Sequence, residues 1–487
     1  MGGGLAGLGT GVYAQRCGFE TTVFEAHSRP GGVCASWSRG PYLMDAGVRM
    51  VIGTSPPNPF HEILCEVGVM HSVPFERIRV FHCIEDESGE RLHIRKDPGE
   101  FRDELLAAAP LDRDRVERFI GILRDFSRFR PDLQVERDSG LRDGIRAASR
   151  LGPVIDHLAR YWKVPLTRWL AGFESRRIRN AFSCIYNIRD FPVLAMFTSL
   201  GWLTGGQIGK PLAGAQSISD AVAGTFRGLG GEIRLSARVK EIMVTSGRAS
   251  GVRLEDGSEH RAGTVIGAAD GRSTIFDLLG GRFVDDALAG RYRDLPVFPP
   301  LVTVHLGVAM DPASDPETIV WPLGRPVKVP GGVLRRINLH RQGGGLNAPS
   351  GHSVMRVGCD TSYEEWADLA RDPGAYRREK DRIADEIVER LDERYPGLAG
   401  SVRVRDVSTP ITYERITANW KGAYEGWLPS IHTFGLRIPR TLPGLDGFYM
   451  VGQWVEPGGG VPAVLLSARN AVRRLCRDLG RPFTPWG

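Results

Sequence analysis

The sequence has few of the residues that mark a secreted, metal-binding or membrane-spanning protein. Its seven cysteines are scattered along 487 residues without a Cys-x-x-Cys pair, so a disulfide framework has no support and a reduced, cytoplasmic compartment is expected. The 11 histidines lack the spacing of metal ligands, which predicts that no metal is bound. The longest apolar run, residues 191–203, contains Pro192 and Gly201 and is shorter than the roughly 20 residues that cross a bilayer.

The excess of positive charge is small and local. The chain has 63 basic and 57 acidic residues, a formal charge of +6, and the excess is concentrated in residues 141–180, where Trp162 and Trp169 accompany the arginines. This stretch is interpreted either as a basic amphipathic surface on the inner face of an anionic membrane or as a helical cap over a substrate cavity with solvated arginines. The first interpretation predicts peripheral membrane contact. No nucleic-acid partner is expected.

Glycine dominates the first motif, which reads Gly2-Gly3-Gly4-Leu5-Ala6-Gly7. A Gly-x-Gly-x-x-Gly pattern that opens a helix is typical of a loop that holds the pyrophosphate of a dinucleotide. Gly2 would make the tight turn, Gly4 would let the backbone approach the phosphates, and Gly7 would let the helix pack closely on the sheet. The amides of Leu5 and Ala6 would face the anion at the helix N-terminus.

An acidic residue follows at the spacing of a dinucleotide site. Glu25 ends a short apolar strand about 20 residues after the loop, where its carboxylate would accept hydrogen bonds from both ribose hydroxyls. Arg29, Gly31 and Gly32 then add one cation and bare backbone amides on the pyrophosphate side. Together these signals predict a nucleotide site.

The strand that normally precedes such a loop is missing from the sequence. Only Met1 stands before Gly2, whereas a dinucleotide fold places the glycine loop directly after a central parallel strand. Without that strand, the ladder groups of both neighbouring strands would be unpaired in the core. We therefore expect the true N-terminus to lie upstream of Met1, with an apolar segment rich in valine and isoleucine.

Two later segments continue the nucleotide-binding pattern. In the second, a helix from Ile218 leads into turn-linked strands, one beginning at Val239, and closes on the small residues Gly267 to Gly271. In the third, a buried strand runs into a glycine-rich turn and a helix that starts near Pro462, as Pro favours first turns. Backbone amides there suit the N1 and C2 carbonyl region of a flavin, which becomes anionic on reduction. The predicted contacts are Gly452, Gln453, Gly459, Gly460 and Val461.

The order of these segments predicts an α/β protein with a discontinuous, Rossmann-like domain that binds flavin adenine dinucleotide (FAD). Its three parts are residues 1–80, 205–275 and 436–487. A mixed α+β substrate domain would be formed by residues 81–204 and 276–435.

The motifs in this order resemble those of the phytoene desaturase, carotenoid isomerase and retinol saturase-like FAD oxidoreductases, over nearly the whole chain. The resemblance implies a p-hydroxybenzoate-hydroxylase-like FAD domain, contact between the backbone of Val239 and the adenine edge, and a tunnel for an apolar substrate. The last motif departs from the usual Thr-His-Pro-Gly and reads Val455-Glu456-Pro457-Gly458. The resemblance therefore implies the cofactor without specifying a desaturase reaction.

The expected function is hydride exchange between FAD and an apolar polyene, isoprenoid or related specialised metabolite, giving desaturation, saturation or isomerisation. Such chemistry needs few protein groups, because the cofactor performs the transfer and the protein orients the substrate and excludes water. Glu456 is the first acid–base candidate, with Glu425 and Tyr424 behind it. An amine oxidase-like flavoenzyme and a non-catalytic, prenyl-binding escort module are the alternatives. Sequence alone leaves open the substrate, the electron acceptor and the oligomeric state.

Overall fold

The computed structural model describes residues 1–131, 151–434, 436 and 438–486. The part of the predicted basic surface at 141–150 lies outside these residues. The strands are β1 (Thr22–Phe24), β2 (Ser36–Arg39), β3 (Tyr42–Asp45), β4 (Val51–Ile52), β5 (Phe75–Arg77), β6 (Val80–Glu85), β7 (Arg91–Arg95), β8 (Ile208–Pro211), β9 (Glu232–Arg234), β10 (Val239–Thr245), β11 (Arg248–Leu254), β12 (Glu259–Arg261), β13 (Val265–Gly267), β14 (Leu301–Val308), β15 (Thr318–Val329), β16 (Gly332–Gly343), β17 (Ser353–Asp360), β18 (Val402–Ser408) and β19 (Phe448–Met450).

The strands are connected by helices and loops. The α-helices are α1 (Leu5–Arg16), α2 (Pro59–Glu66), α3 (Val69–Ser72), α4 (Pro98–Ala108), α5 (Arg113–Ser127), α6 (Ile155–Tyr161), α7 (Leu166–Leu170), α8 (Arg176–Ile185), α9 (Val193–Thr204), α10 (Gln216–Gly228), α11 (Asp286–Asp294), α12 (Tyr363–Leu369), α13 (Pro373–Arg394), α14 (Leu398–Ser401), α15 (Pro410–Thr417) and α16 (Val461–Asp478). A π-helical turn covers Ser273–Leu278.

A parallel sheet lies under the first glycine loop. β1 pairs in parallel with β9, and β13 pairs in parallel with β19. Met1 and Gly2 lie between the two pairs: the Gly2 amide donates to the Phe24 carbonyl at 2.8 Å, and the Ala268 amide donates to the Met1 carbonyl at 2.9 Å. The sheet order is therefore β9, β1, residues 1–2, β13, β19, which confirms the predicted Rossmann-like α/β arrangement.

Three helices cover this sheet with a shared apolar core. α1, α10 and α16 bury Leu8, Val222 and Leu465 against one another. Small residues allow the close approach, because a Cβ added at Gly11 would lie 2.7 Å from the Phe226 ring and one at Gly9 would lie 2.9 Å from Leu465. The glycines of α1 beyond the loop are thus explained by helix packing.

A second, seven-stranded sheet joins the two segments that were predicted to bind substrate. Its order is β18-β14-β17-β16-β15-β6-β7, with β15 and β6 parallel and the other pairs antiparallel. α13 packs Ile383, Ile387 and Leu391 into the core of this sheet. The domain boundaries given above stay a prediction.

Most apolar residues of the described part of the basic stretch are packed inside. Leu166, Leu170 and Phe173 join a helical core with residues of α4, α5, α8 and α9, as the interpretation of a helical cap requires. Ile155 and Trp162 remain exposed, at 48% and 49%. In the part of the chain that the structure describes, no helix is both long and apolar enough to cross a membrane.

Candidate functional site

A cavity of about 480 Å³ lies where the three predicted nucleotide-binding segments meet. Its volume is within the range of roughly 300–1,000 Å³ that is typical of small-molecule sites. The predicted cofactor contacts that line it are Gly2, Gly4, Leu5, Ala6, Glu25, Gly31, Gly32, Val239, Gly452, Gln453, Gly460 and Val461. Three others, Gly7, Arg29 and Gly459, do not line it.

The glycine loop is built by close backbone contacts. Gly2 has a φ of +96°, and a Cβ there would lie 2.9 Å from the carbonyl carbon of Ala268. A Cβ at Gly7 would overlap the carbonyl oxygen of Gly2. At Gly4 the nearest atom to an added Cβ, the Gly31 oxygen, is 3.9 Å away. Gly2 and Gly7 therefore allow the close backbone contacts that shape the loop. Gly4 leaves space on the side of the loop that faces the cavity.

Glu25 is held rigidly at the cavity wall. Its Oε2 accepts a hydrogen bond from the Gly3 amide at 2.6 Å, and its Oε1 accepts one from the His27 amide at 2.7 Å. Arg29 is placed differently, because its side chain is exposed and donates to the Ser36 carbonyl. A phosphate contact by Arg29 stays a prediction that requires its side chain to leave Ser36.

Two helix N-termini open onto the same cavity. α1 follows Gly4 and α16 follows Gly460, and within the described residues no side chain caps either end. Their first amides are thus left for a ligand, and each helix end favours negative charge. The Gly452 amide, by contrast, donates to Ser467 Oγ at 2.9 Å. The cavity therefore contains two separate helix N-termini whose amides can donate to hydrogen-bond acceptors of a ligand. This arrangement fits a dinucleotide that carries a pyrophosphate and a flavin ring.

A buried donor at the cavity wall also fits a bound group. Trp454 is 1% exposed, lines the cavity, and its indole Nε1 has no hydrogen-bond partner within the described residues. The Trp427 indole donates to the Trp454 carbonyl at 3.0 Å, and their rings meet edge to face at 5.0 Å. These tryptophans make a rigid, dry wall.

The three predicted acid–base candidates have different surroundings in the structure. Glu425 lines the cavity, and burial raises the pKa of its carboxyl to about 7, against the opposing effect of the Arg49 cation. Glu456 does not line the cavity and pairs with Arg440. The Tyr424 ring packs on Phe298 at 5.4 Å, and burial raises its pKa further from neutrality, with Glu425 adding to the shift.

Glu425 therefore replaces Glu456 as the first candidate for proton transfer. A carboxyl with a pKa near the working pH can both hold and accept a proton. Gly459 belongs with it, because a Cβ at Gly459 would lie 2.9 Å from the Glu425 Cβ. This glycine makes room for the carboxylate beside the cavity.

One functional residue was left without a role in the sequence argument. Asp270 lines the cavity, is fully buried, and burial raises its pKa to about 6. It accepts hydrogen bonds from the amides of Ser273 at 2.8 Å and Trp420 at 3.0 Å. Asp270 thus ties the segment after α15, which contains the lining residue Asn419, to the parallel sheet. Its sequence signals were the small residues around it and its place in Ala269-Asp270-Gly271, one of the motifs that carry the family resemblance.

The described residues contain no cluster of three or more histidine, cysteine, aspartate or glutamate side chains that could hold a metal ion.

Comparisons with known proteins agree over the length of the chain. A family model described as "Flavin containing amine oxidoreductase" matches residues 5–476. The chloroplastic prolycopene isomerase of Daucus carota is 25% identical over 518 aligned positions, covering 99% of this chain and 80% of that protein. The neurosporene-forming phytoene desaturase of Rhodobacter capsulatus is 25% identical over 514 positions, covering 100% of this chain and 94% of that protein.

A solved structure has the same fold. Cyclohexylamine oxidase from Brevibacterium oxydans is similar with a TM-score of 0.60 at 15% identity, covering 99% of this chain and 98% of that one.

Proposed function

The chain belongs to the family of flavin-containing amine oxidoreductases and is an FAD-dependent oxidoreductase; we propose that it exchanges hydride with an extended apolar substrate, a polyene, an isoprenoid or a related metabolite. The observation that carries the substrate class is the similarity to a prolycopene isomerase and a phytoene desaturase over nearly the whole chain. The direction of transfer is left to experiment.

We propose that different groups of cavity-lining residues bind different parts of the cofactor. Gly2, Gly4 and the start of α1 would hold the pyrophosphate with Gly31 and Gly32. Glu25 would hold the ribose. Its orientation supports this role, because two backbone amides fix the carboxylate.

The remaining contacts would hold the two ends of the cofactor. The Val239 backbone would meet the adenine. Gly452, Gln453, Gly460 and Val461 would hold the isoalloxazine ring. The uncapped start of α16 supports this assignment, because a helix N-terminus favours the negative charge of a reduced flavin.

When bound, FAD supplies the hydride acceptor or donor at its ring. Desaturation also removes a proton from the neighbouring carbon, and the ionised carboxylate of Glu425 is placed at the cavity to accept it. Trp454 and Trp427 exclude water from this wall. In the reverse direction, protonated Glu425 would supply the proton.

A single anaerobic turnover, with the bound flavin as the hydride acceptor, tests this function. We expect visible flavin bands that dithionite bleaches, and, with phytoene or prolycopene in detergent micelles, a desaturated or isomerised product in the chromatogram. Cyclohexylamine is the comparison compound. Flavin bleaching by the amine, with no change in either polyene, would favour the amine oxidase-like alternative. Protein that stays colourless after FAD addition would instead favour the non-catalytic escort.

We also propose peripheral membrane contact through the exposed part of the helical cap. Ile155 and Trp162 are about half exposed, and the neighbouring cations Arg160, Lys163 and Arg168 are exposed as well. An apolar residue beside cations suits the interface of an anionic bilayer. An apolar substrate would reach the protein from such a surface.

Liposome flotation checks the membrane contact. We expect binding to vesicles that contain phosphatidylserine at low salt and release at high salt, because salt screens exposed charges. Trp162→Ala should weaken binding about tenfold, the order expected when a large apolar side chain leaves the interface. Trp486→Ala is the matched control, since Trp486 is 54% exposed near the C-terminus. Absence of binding at low salt, or an equal effect of both variants, would contradict the proposal.

A further inference from the structure

A second, much smaller pocket lies beside the main cavity. Its volume is about 30 Å³, against about 480 Å³ for the main cavity. Val48 lines the main cavity and its neighbour Arg49 lines the small pocket, so the two spaces adjoin. The small pocket is lined by Asp45, Gly47, Arg49, His305, His340, Gln342, Val354 and Arg356.

Two arginines meet at this pocket without a carboxylate partner. Among the described residues, no carboxylate lies within ion-pair distance of Arg49 or Arg356. The Arg49 guanidinium donates to His340 Nδ1 at 2.9 Å, and Arg356 donates only a long bond of 3.4 Å to the Ala46 carbonyl. Burial lowers the pKa of Arg49 to about 10, and the Arg356 cation adds to this effect.

Two polar donors lie at the pocket, and one of them has no hydrogen-bond partner within the described residues. The buried Arg356 Nε has no hydrogen-bond partner within the described residues. His340 accepts at Nδ1 from Arg49, so the neutral ring carries its hydrogen on Nε2. Burial and the cations of Arg49 and Arg356 keep the pKa of His340 well below its usual value, which means that this ring is a neutral donor.

The carboxylate that lines the pocket is already engaged, whereas the buried His305 Nδ1 has no hydrogen-bond partner within the described residues. Asp45 Oδ1 accepts from the Ala215 amide at 2.9 Å and from Ser36, and Asp45 Oδ2 accepts from Gln342 at 3.4 Å. His305 Nε2 donates to the Asp45 carbonyl at 3.0 Å. Glu425, whose charge acts on Arg49, lines the main cavity and is not among the residues that line the small pocket. The two guanidinium charges thus exceed the one ionised carboxylate that lines the pocket.

We propose that this pocket binds a carboxylate at the end of the substrate, so that the enzyme acts on an apolar chain that ends in a carboxylic acid. Guanidinium groups favour carboxylates through charge-assisted, bidentate hydrogen bonds. The carboxylate would occupy this small pocket, and the apolar chain would leave it beside Arg49, toward Glu425. The inference rests on the proposed function, for which it names the substrate class.

Ligand titration of the flavin-loaded, oxidised protein tests the proposal. Binding is followed as a change in the flavin absorption spectrum, with retinoate as the acid and methyl retinoate as its neutral match. We expect retinoate to bind about 10- to 100-fold more tightly than the ester, the range set by hydrogen bonds to charged groups. Acetate that binds as tightly as retinoate would overturn the proposal, because the pocket would then hold a free anion.

Substitutions assign the preference to the two arginines. Arg49→Met and Arg356→Met are each expected to remove most of the preference for the acid, while Arg49→Lys keeps part of it. Arg335→Met is the matched control, since Arg335 is exposed on β16, the strand that carries His340. If one methionine variant loses its flavin, the other variant and Arg49→Lys carry the comparison.

Different measurements decide the carboxylate-pocket proposal and the proposed function. Equal binding of acid and ester overturns the carboxylate pocket, and so does a preference that survives both methionine substitutions. Absence of any spectral change in protein with bleachable flavin also overturns it. The proposed function is decided by the product assay with neutral polyenes.

Discussion

Gly7→Ala is expected to give a protein that retains little or no flavin. The added methyl group would overlap the Gly2 carbonyl oxygen, and Gly2 cannot move freely because its amide donates to Phe24 at 2.8 Å. Overpacking of this kind costs about 1–3 kcal/mol, and it displaces the loop whose amides face the cavity. We expect FAD affinity to fall by about 10- to 100-fold, measured by flavin absorbance after gel filtration and by titration of the apoprotein.

Gly224→Ala is the control for this substitution. Gly224 lies inside α10, and a Cβ there would meet no atom within 4 Å. Alanine favours a helix interior by up to about 1 kcal/mol over glycine, so flavin content should be unchanged and the melting temperature the same or slightly higher. A Gly7→Ala protein with normal flavin content would contradict the assignment of the loop.

Glu425→Gln is expected to lower turnover by about 100- to 10,000-fold, the usual contribution of a general acid or base. Glutamine keeps the shape of the side chain but neither takes nor gives a proton. FAD should stay bound, because glutamine keeps the size of the side chain beside Gly459 and leaves the backbone amides that would hold the cofactor unchanged. Steady-state rates with the polyene substrate, together with flavin content, check this expectation.

The pH dependence gives a second readout for Glu425. Its carboxyl pKa is raised to about 7, so the proton-accepting form dominates only above that pH. In the desaturating direction, the rate should therefore rise with pH through about 7 and then level off. The inflection should disappear in Glu425→Gln and persist in Glu365→Gln, whose side chain is exposed on α12.

Glu456→Gln separates the two candidate carboxylates. The sequence argument puts Glu456 first, and its substitution would then lower turnover while FAD stays bound. If Glu425→Gln turns over at the normal rate and Glu456→Gln does not, the assignment made from the structure is wrong. The pairing of Glu456 with Arg440 favours Glu425.

The surroundings of Glu456 and Glu425 in the fold could not be predicted from the sequence. Glu456 was preferred because it lies in the glycine-rich segment next to Gly458 and Gly459. In the fold, the Glu456 side chain turns to Arg440, while Gly459 makes room for Glu425. Position along the chain therefore favours Glu456 and the fold favours Glu425, and the two glutamine substitutions decide between them.

The sequence by itself determined the cofactor and the fold class. Glycines at fixed spacing, an acidic residue after β1 and a glycine-rich turn before α16 are patterns of residue type and spacing that are visible along the chain. For this reason they predicted the FAD oxidoreductase and its Rossmann-like domain, which the family match over residues 5–476 confirms. The resemblance to carotenoid desaturases and isomerases is confirmed by the relatives found.

Only the tertiary structure decided which charged groups share one environment. Arg49 and Arg356 are far apart in sequence, yet they line one small pocket with His340, and Glu425 faces the adjoining cavity. The pKa shifts of Arg49 and Glu425 arise from burial and from the charges of groups that lie on other segments of the chain. Burial and charge coupling depend on distances across the whole fold, and no local spacing of residues encodes them.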